Sequence, residues 1–139
     1  MLLFILKFVT ASATDLLPFG DNTFDCVLSS LCLCSVPSPT LAIGSVLRVL
    51  RPGGTFGFVE HVKSGAEKPF FQLQQTALSP LQGAVAHGCH LDRETGRTVE
   101  EAFGAGAKVS ATRAFEKDMW PISEQFAGVY RKPPLPLQG

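Results

Sequence analysis

Apolar positions along the chain fall into short runs whose period switches between strand and helix, and that switching predicts an α/β fold. Residues 3 to 9 form a brief β-type run, and residues 12 to 25, SATDLLPFGDNTFD, are rich in turn formers. Residues 26 to 36, CVLSSLCLCSV, are continuously apolar with small hydroxyls, which suits a strand covered on both faces as parallel sheets require. Ser38 then stands as a helix cap with Pro39 at the first helical position. Ile43, Val46, Leu47 and Leu50 follow at i, i+3, i+4 and i+7, one buried stripe. Arg51-Pro52-Gly53-Gly54 is expected to stop that helix, with Arg51 at its negative end and glycine in a left-handed turn. Thr55 to Val62 reads as the next strand, so residues 26 to 62 make a strand, helix, strand unit with a right-handed connection.

Residues 69 to 86 read as a helix broken near Pro80, and Arg93 to Phe103 as a helix capped by Asp92. Lys108 to Phe115 and Gln125 to Tyr130 alternate apolar and polar residues, predicting two half-exposed strands that pair antiparallel at a sheet edge with no helix between them. One domain is expected over residues 1 to 132, followed by a proline-rich tail at 133 to 139 in which a PxxP ligand is outweighed by a frayed terminus.

Composition narrows this picture. The 139 residues are 45% apolar and 17% charged, enough for one core that buries about two-thirds of the surface. Net charge is zero and the basic residues are scattered, so nucleic acid is not expected as a partner. Cys26, Cys32, Cys34 and Cys89 form no spaced disulfide framework; three lie in one apolar run as buried thiols, and a reducing, cytoplasmic setting follows. The opening MLLFILKFV is too short to span a bilayer and has no basic leader. His87-Gly88-Cys89-His90, with Cys32 or Cys34, has metal-ligand residue types, but the spacing matches no strong zinc pattern and no metal is expected. Phe70, Phe71, Leu73, Leu78 and Leu81 read either as core or as an apolar lid or membrane-facing surface.

LPFGDNTFDCVLSSLCLCSV, followed by VLRVLRPGGTFGFVEHV, resembles the second half of the type 11 class I S-adenosylmethionine-dependent methyltransferase domain, and within it the thiol methyltransferase-like subgroup. Gln74-Gln75 and the run Gly88 to Glu94 also look like that subgroup, extending the similarity from Phe8 to Tyr130. The resemblance implies a partial Rossmann-like sheet from the third strand onward, and methyl transfer from S-adenosylmethionine to a small-molecule acceptor, a thiol above all. It also implies cofactor contacts at Ala13, Thr14, Asp15 and Leu16 on the adenine side, and at Ser29, Ser30, Leu31 and Cys32 on the methionine side. The family usually has an acidic residue where Ala13 stands. Glu60 and His61 fall on the acceptor side, either as a catalytic base with its orienting carboxylate or as a pair that only lines the cleft. In the resembled subgroup a membrane anchor lies at the N-terminus, so membrane association is expected only through a segment preceding Met1.

One departure stands out. A glycine-rich turn after a strand lets backbone approach such a cofactor closely, and this chain has none in a strand-to-helix context. Gly104-Ala-Gly106 follows a helix and precedes a strand, as an ordinary turn does. A ribose-gripping acid at the end of a second strand is missing too, so the chain is expected to be a fragment that binds cofactor weakly or not at all alone. A sheet edge left unpaired would invite a partner chain, and the alternative reading is a non-catalytic methyltransferase-like module that joins one.

Overall fold

The computed structural model describes residues 6–104 and 106–134. Its elements are β1 (Phe24–Ser30), α1 (Pro39–Val49), β2 (Leu50–His61), α2 (Pro69–Val85), α3 (Thr95–Phe103), β3 (Lys108–Phe115) and β4 (Glu124–Arg131). Residues 3 to 5 of the first expected strand, and residues 135 to 139 of the tail, lie outside the described residues; Leu6 to Val9 are not strand.

The four strands form one sheet in the order β1-β2-β4-β3. β1 runs parallel to β2, with Val27 opposite Phe56 and Ser30 opposite Val59. β4 is antiparallel to both β2 and β3, which is the C-terminal edge pair the alternation predicts. The fold is therefore α/β, with a parallel strand pair on one side of the sheet and antiparallel strands on the other.

Local chemistry explains α1. Ser38 adopts an extended backbone and its hydroxyl accepts the Leu41 amide, while Pro39 opens the first turn. Ile43, Val46 and Leu50 are buried as the stripe requires, and they meet Phe56, Phe58, Phe103 and Tyr130 in the core. Phe56 and Phe58 stack with ring centroids 5.4 Å apart, and Phe103 lies 5.8 Å from Phe56.

Several boundaries differ from the pattern. β1 starts at Phe24 and ends at Ser30, because Leu31 turns to a left-handed φ of 49° and Leu33, Cys34 and Val36 bury themselves as loop. It is not covered on both faces: Leu28 is 80% exposed. Arg51 to Gly54 does not separate helix from strand but belongs to β2, where the four residues bulge between the pairs Phe24–Leu50 and Cys26–Thr55. Gly53 takes its positive φ there, and Arg48, not Arg51, is the basic residue of the last turn of α1. α2 runs through Pro80 unbroken, since Thr76, whose carbonyl the proline leaves free, is exposed to water. Asp92 does not cap α3; its carboxylate accepts the Ser79 hydroxyl, and Glu94 occupies the cap position without a side-chain bond. A short 3-10 turn, Lys117–Met119, joins β3 to β4 where no helix is expected.

α1 and α3 pack on one face of the sheet, and α2 is held where the chain leaves β2. On the opposite face a groove of about 570 Å³ is lined by Leu28, Gly57, Val59, Thr112, Ala127 and Val129. Among the described residues β1 is an edge strand, and no helix is long and apolar enough to cross a membrane.

Candidate functional site

Ligands of open α/β sheets bind beyond the carboxyl ends of the strands, and here that end of β1 opens into a cavity of about 230 Å³. Ala13, Leu16, Ser29, Ser30 and Cys32 line it together with Val27, Ala42, Val46 and Phe56. The two segments named for the adenine and methionine sides thus meet across one space, although they are separated by a dozen residues of loop and strand. Thr14, Asp15 and Leu31 lie beside the cavity without lining it.

Loop 13–16 is held from α1. Ser45 Oγ donates to the Thr14 carbonyl at 2.8 Å. Arg48 donates through one guanidinium nitrogen to the Asp15 and Leu16 carbonyls at 3.0 Å, and through the other to the Phe19 carbonyl and the Asp21 carboxylate. Nothing in the sequence marks Arg48: its place in the last turn of α1 gives no hint of a loop some thirty residues away. Asp15 accepts the Leu17 amide, a local turn contact.

Glu60 organises the other wall. The side chain is fully buried, and Oε1 accepts the Cys32 and Leu33 amides at 3.0 Å and the Ser29 hydroxyl at 3.1 Å. Oε2 takes the Cys34 amide at 3.3 Å. Its charge is thereby spent on a backbone loop that has left the sheet and needs acceptors for its N–H groups. Arg93 meets the same loop from the other side, donating to the Leu33 and Val36 carbonyls at 2.6 and 2.8 Å.

His61 is equally buried, and its Nε2 lies 3.1 Å from the His90 carbonyl and 3.3 Å from Cys89 Sγ. Burial holds its pKa below the ordinary imidazole value, against the pull of the His90 carbonyl and of Glu60 in the other direction. Glu60 and His61 alternate on β2, and no side-chain bond joins them as base and orienter among the described residues.

Of the cysteines, Cys34 and Cys89 are buried, whereas Cys26 and Cys32 are exposed, so the apolar run does not bury all three of its thiols. Burial, with a smaller push from Glu60, raises the Cys32 pKa. Burial likewise pushes Cys34 up to about 12. Both stay protonated near neutral pH, which makes neither a nucleophile. His87 and His90 are exposed, but Cys34, His61 and Cys89 each place one ligand atom within 4.8 Å of the others. The helical run behind them is inverted: Gln75 and Ser79 are buried, while Phe70, Leu73 and Leu81 are exposed. Phe71 stacks edge-on to Phe115, and Gln75 ties α2 to the Ser64 amide and the Val62 carbonyl.

Comparison with known proteins agrees with this geometry. A methyltransferase domain model matches residues 2–58. Thiol S-methyltransferase TMT1B of Rattus norvegicus is 38% identical over 96 residues, which are 69% of this chain and 39% of that protein. Thiol S-methyltransferase TMT1A of Homo sapiens is 34% identical over 108 residues, 78% of this chain and 44% of that one. The chain therefore spans about two-fifths of the length of these relatives. Among solved structures, a SAM-dependent methyltransferase from Methanosarcina mazei superposes with a TM-score of 0.64 at 19% identity, covering 92% of this chain and 68% of the other. The [4+2]-cyclase SpnF superposes at 0.67 with 18% identity, covering 92% and 56%. The matched segment, the relatives and the parallel strand pair with its crevice show that residues 2–58 match a methyltransferase domain and that the chain has the fold of S-adenosylmethionine-dependent methyltransferases.

Proposed function

We propose that this chain supplies the adenine-side and methionine-side walls of an S-adenosylmethionine site in an enzyme that methylates a small acceptor, a thiol. The observation that carries the reading is the single cavity shared by Ala13, Leu16, Ser29, Ser30 and Cys32. Its lining suits a flat, weakly polar ring: aliphatic and aromatic side chains with small alanine and serine residues among them. At about 230 Å³ it falls below the ~300 Å³ at which drug-sized ligand sites begin, so it fits part of the cofactor rather than all of it. Held between the loop 13–16 and the end of β1, S-adenosylmethionine would supply an electrophilic methyl group on its sulfonium to the acceptor thiol.

This chain's residues bind and orient. Arg48 and Ser45 hold the adenine-side loop, and Glu60 holds the loop after β1. In-line transfer needs alignment more than proton abstraction, so Glu60 acts as a positioning residue and His61, neutral and enclosed, lies behind the cleft. The thiol acceptor rests on what the relatives are named for. The four free cysteines suit a reducing, cytoplasmic compartment.

The test is titration of the 139-residue chain with S-adenosylhomocysteine, followed by amide chemical shifts. Expected are shifts confined to residues 13–16 and 29–33 with a Kd near the millimolar range, about −4 kcal/mol. Unmoved crevice amides at saturating ligand overturn the assignment of the site; a submicromolar Kd overturns its incompleteness. A second reading, a non-catalytic module, is favoured by the uncovered face around Leu28. A methylated thiol product from labelled donor would rule it out.

A further inference from the structure

We propose that Cys34, His61 and Cys89 form a buried three-ligand site for a zinc ion, which fastens the crevice loop to the turn after α2. Three segments distant in sequence converge there: the loop after β1, the last residue of β2, and the turn between α2 and α3. All three side chains are at least nine-tenths buried. Their ligand atoms lie within 4.8 Å of one another, and Cys89 Sγ is 3.3 Å from His61 Nε2. Tetrahedral zinc, with bonds of about 2.3 Å to sulfur and about 2.0 Å to nitrogen, sets its ligand atoms roughly 3.5 to 3.8 Å apart.

Without a cation these groups are poorly satisfied. Cys34 Sγ has the Leu31 carbonyl and the Ser35 hydroxyl at 3.5 Å, and Cys89 Sγ has a Gln82 amide at 3.8 Å. His61 Nε2 faces both a carbonyl and a sulfur, so either tautomer leaves one contact without its proton. Two thiolates and one divalent cation sum to zero charge, which makes burial of the assembly far cheaper than burial of its parts.

The supporting shell is already built. Glu60 holds the Cys34 amide, Arg93 grips the carbonyls on either side of it in the same loop, and the His90 amide donates to the Cys34 carbonyl at 3.0 Å. Metal sites depend on such second partners to fix their ligands. Three protein ligands leave the fourth position of a tetrahedral zinc to a bound water.

Cobalt(II) titration of the reduced full chain is the test, with zinc and EDTA followed by thermal melts. The expected result is one equivalent of cobalt giving a thiolate-to-metal charge-transfer band that zinc displaces, and a Tm raised by zinc and lowered by EDTA. A C26S/C32S double variant keeps the band, and Cys89→Ser weakens zinc binding by more than about tenfold, the least that loss of even an outer partner costs. Far-UV circular dichroism of each variant shows that it is folded. Absence of the band in the wild type, or its survival in a folded Cys34→Ser/Cys89→Ser variant, overturns the site. Neither result touches the methyl-transfer reading, which stands on the cavity beside β1.

Discussion

At the scale of single residues, two buried carboxylates do different work with the same chemistry. Glu60 serves backbone amides, so Glu60→Gln keeps the shape but turns an amide nitrogen toward one of those donors. The expected loss is about 1–3 kcal/mol of stability by urea denaturation, the cost of a buried donor left without an acceptor. Glu124 serves side chains: Lys68 at 2.7 Å, Ser64 and Arg113 at 3.3 Å. Burial alone would raise its pKa, but the hydrogen bonds and charges of Lys68 and Arg113 outweigh that and hold it below the ordinary carboxylate value of 4.5. A carboxylate depressed by folding stabilises the protein fully above its unfolded pKa, and that contribution fades as pH falls through the folded one. Melting temperature should therefore drop as pH is taken below about 4.5, and Glu124→Gln should flatten part of that drop while lowering Tm at neutral pH. A pH profile identical in the two proteins would refute the ion-pair account.

At the scale of elements, the passage from α1 into β2 shows how turn chemistry is read correctly and placed wrongly. Gly53 uses its left-handed φ and Gly54 its missing side chain, yet both lie in a bulge of β2 instead of a linker. A Cβ on Gly54 would come within 2.8 Å of the Arg51 carbonyl oxygen and 3.1 Å of that of Asp25. Backbone on both sides leaves little room to yield, so Gly54→Ala should destabilise the chain by about 1–3 kcal/mol in chemical denaturation. α2 teaches the converse. Its buried residues are Gln75, which satisfies an amide and a carbonyl of the chain leaving β2, and Ser79, which donates to Asp92 and accepts the Leu91 amide. No hydrophobic periodicity reports a requirement of that kind.

At the scale of the whole molecule, among the described residues the sheet is covered by helices on one face and carries an open apolar groove on the other, with β1 unpaired along one side. Exposed edges and apolar faces template association. The chain should self-associate as concentration rises, and Leu28→Lys, which sets a charge on the most exposed apolar side chain of β1, should shift sedimentation toward monomer. A wild type that stays monomeric throughout would show that this face is tolerated in water.

What the sequence determined by itself was the order and kind of most elements and the parallel pairing of the strands near residues 26 and 58. Those features rest on periodicity, caps and glycine turns, whose causes act within a few residues. What the tertiary structure alone decided was which distant groups share a site. Arg48 grips a loop about thirty residues back, Glu60 turns from acceptor-side candidate into loop anchor, and His61 joins Cys34 and Cys89. Each of these follows from strand register and from where a loop comes to rest over the sheet. A side chain's neighbours across the fold are set by that register, because a shift of one residue moves every side chain to the opposite face.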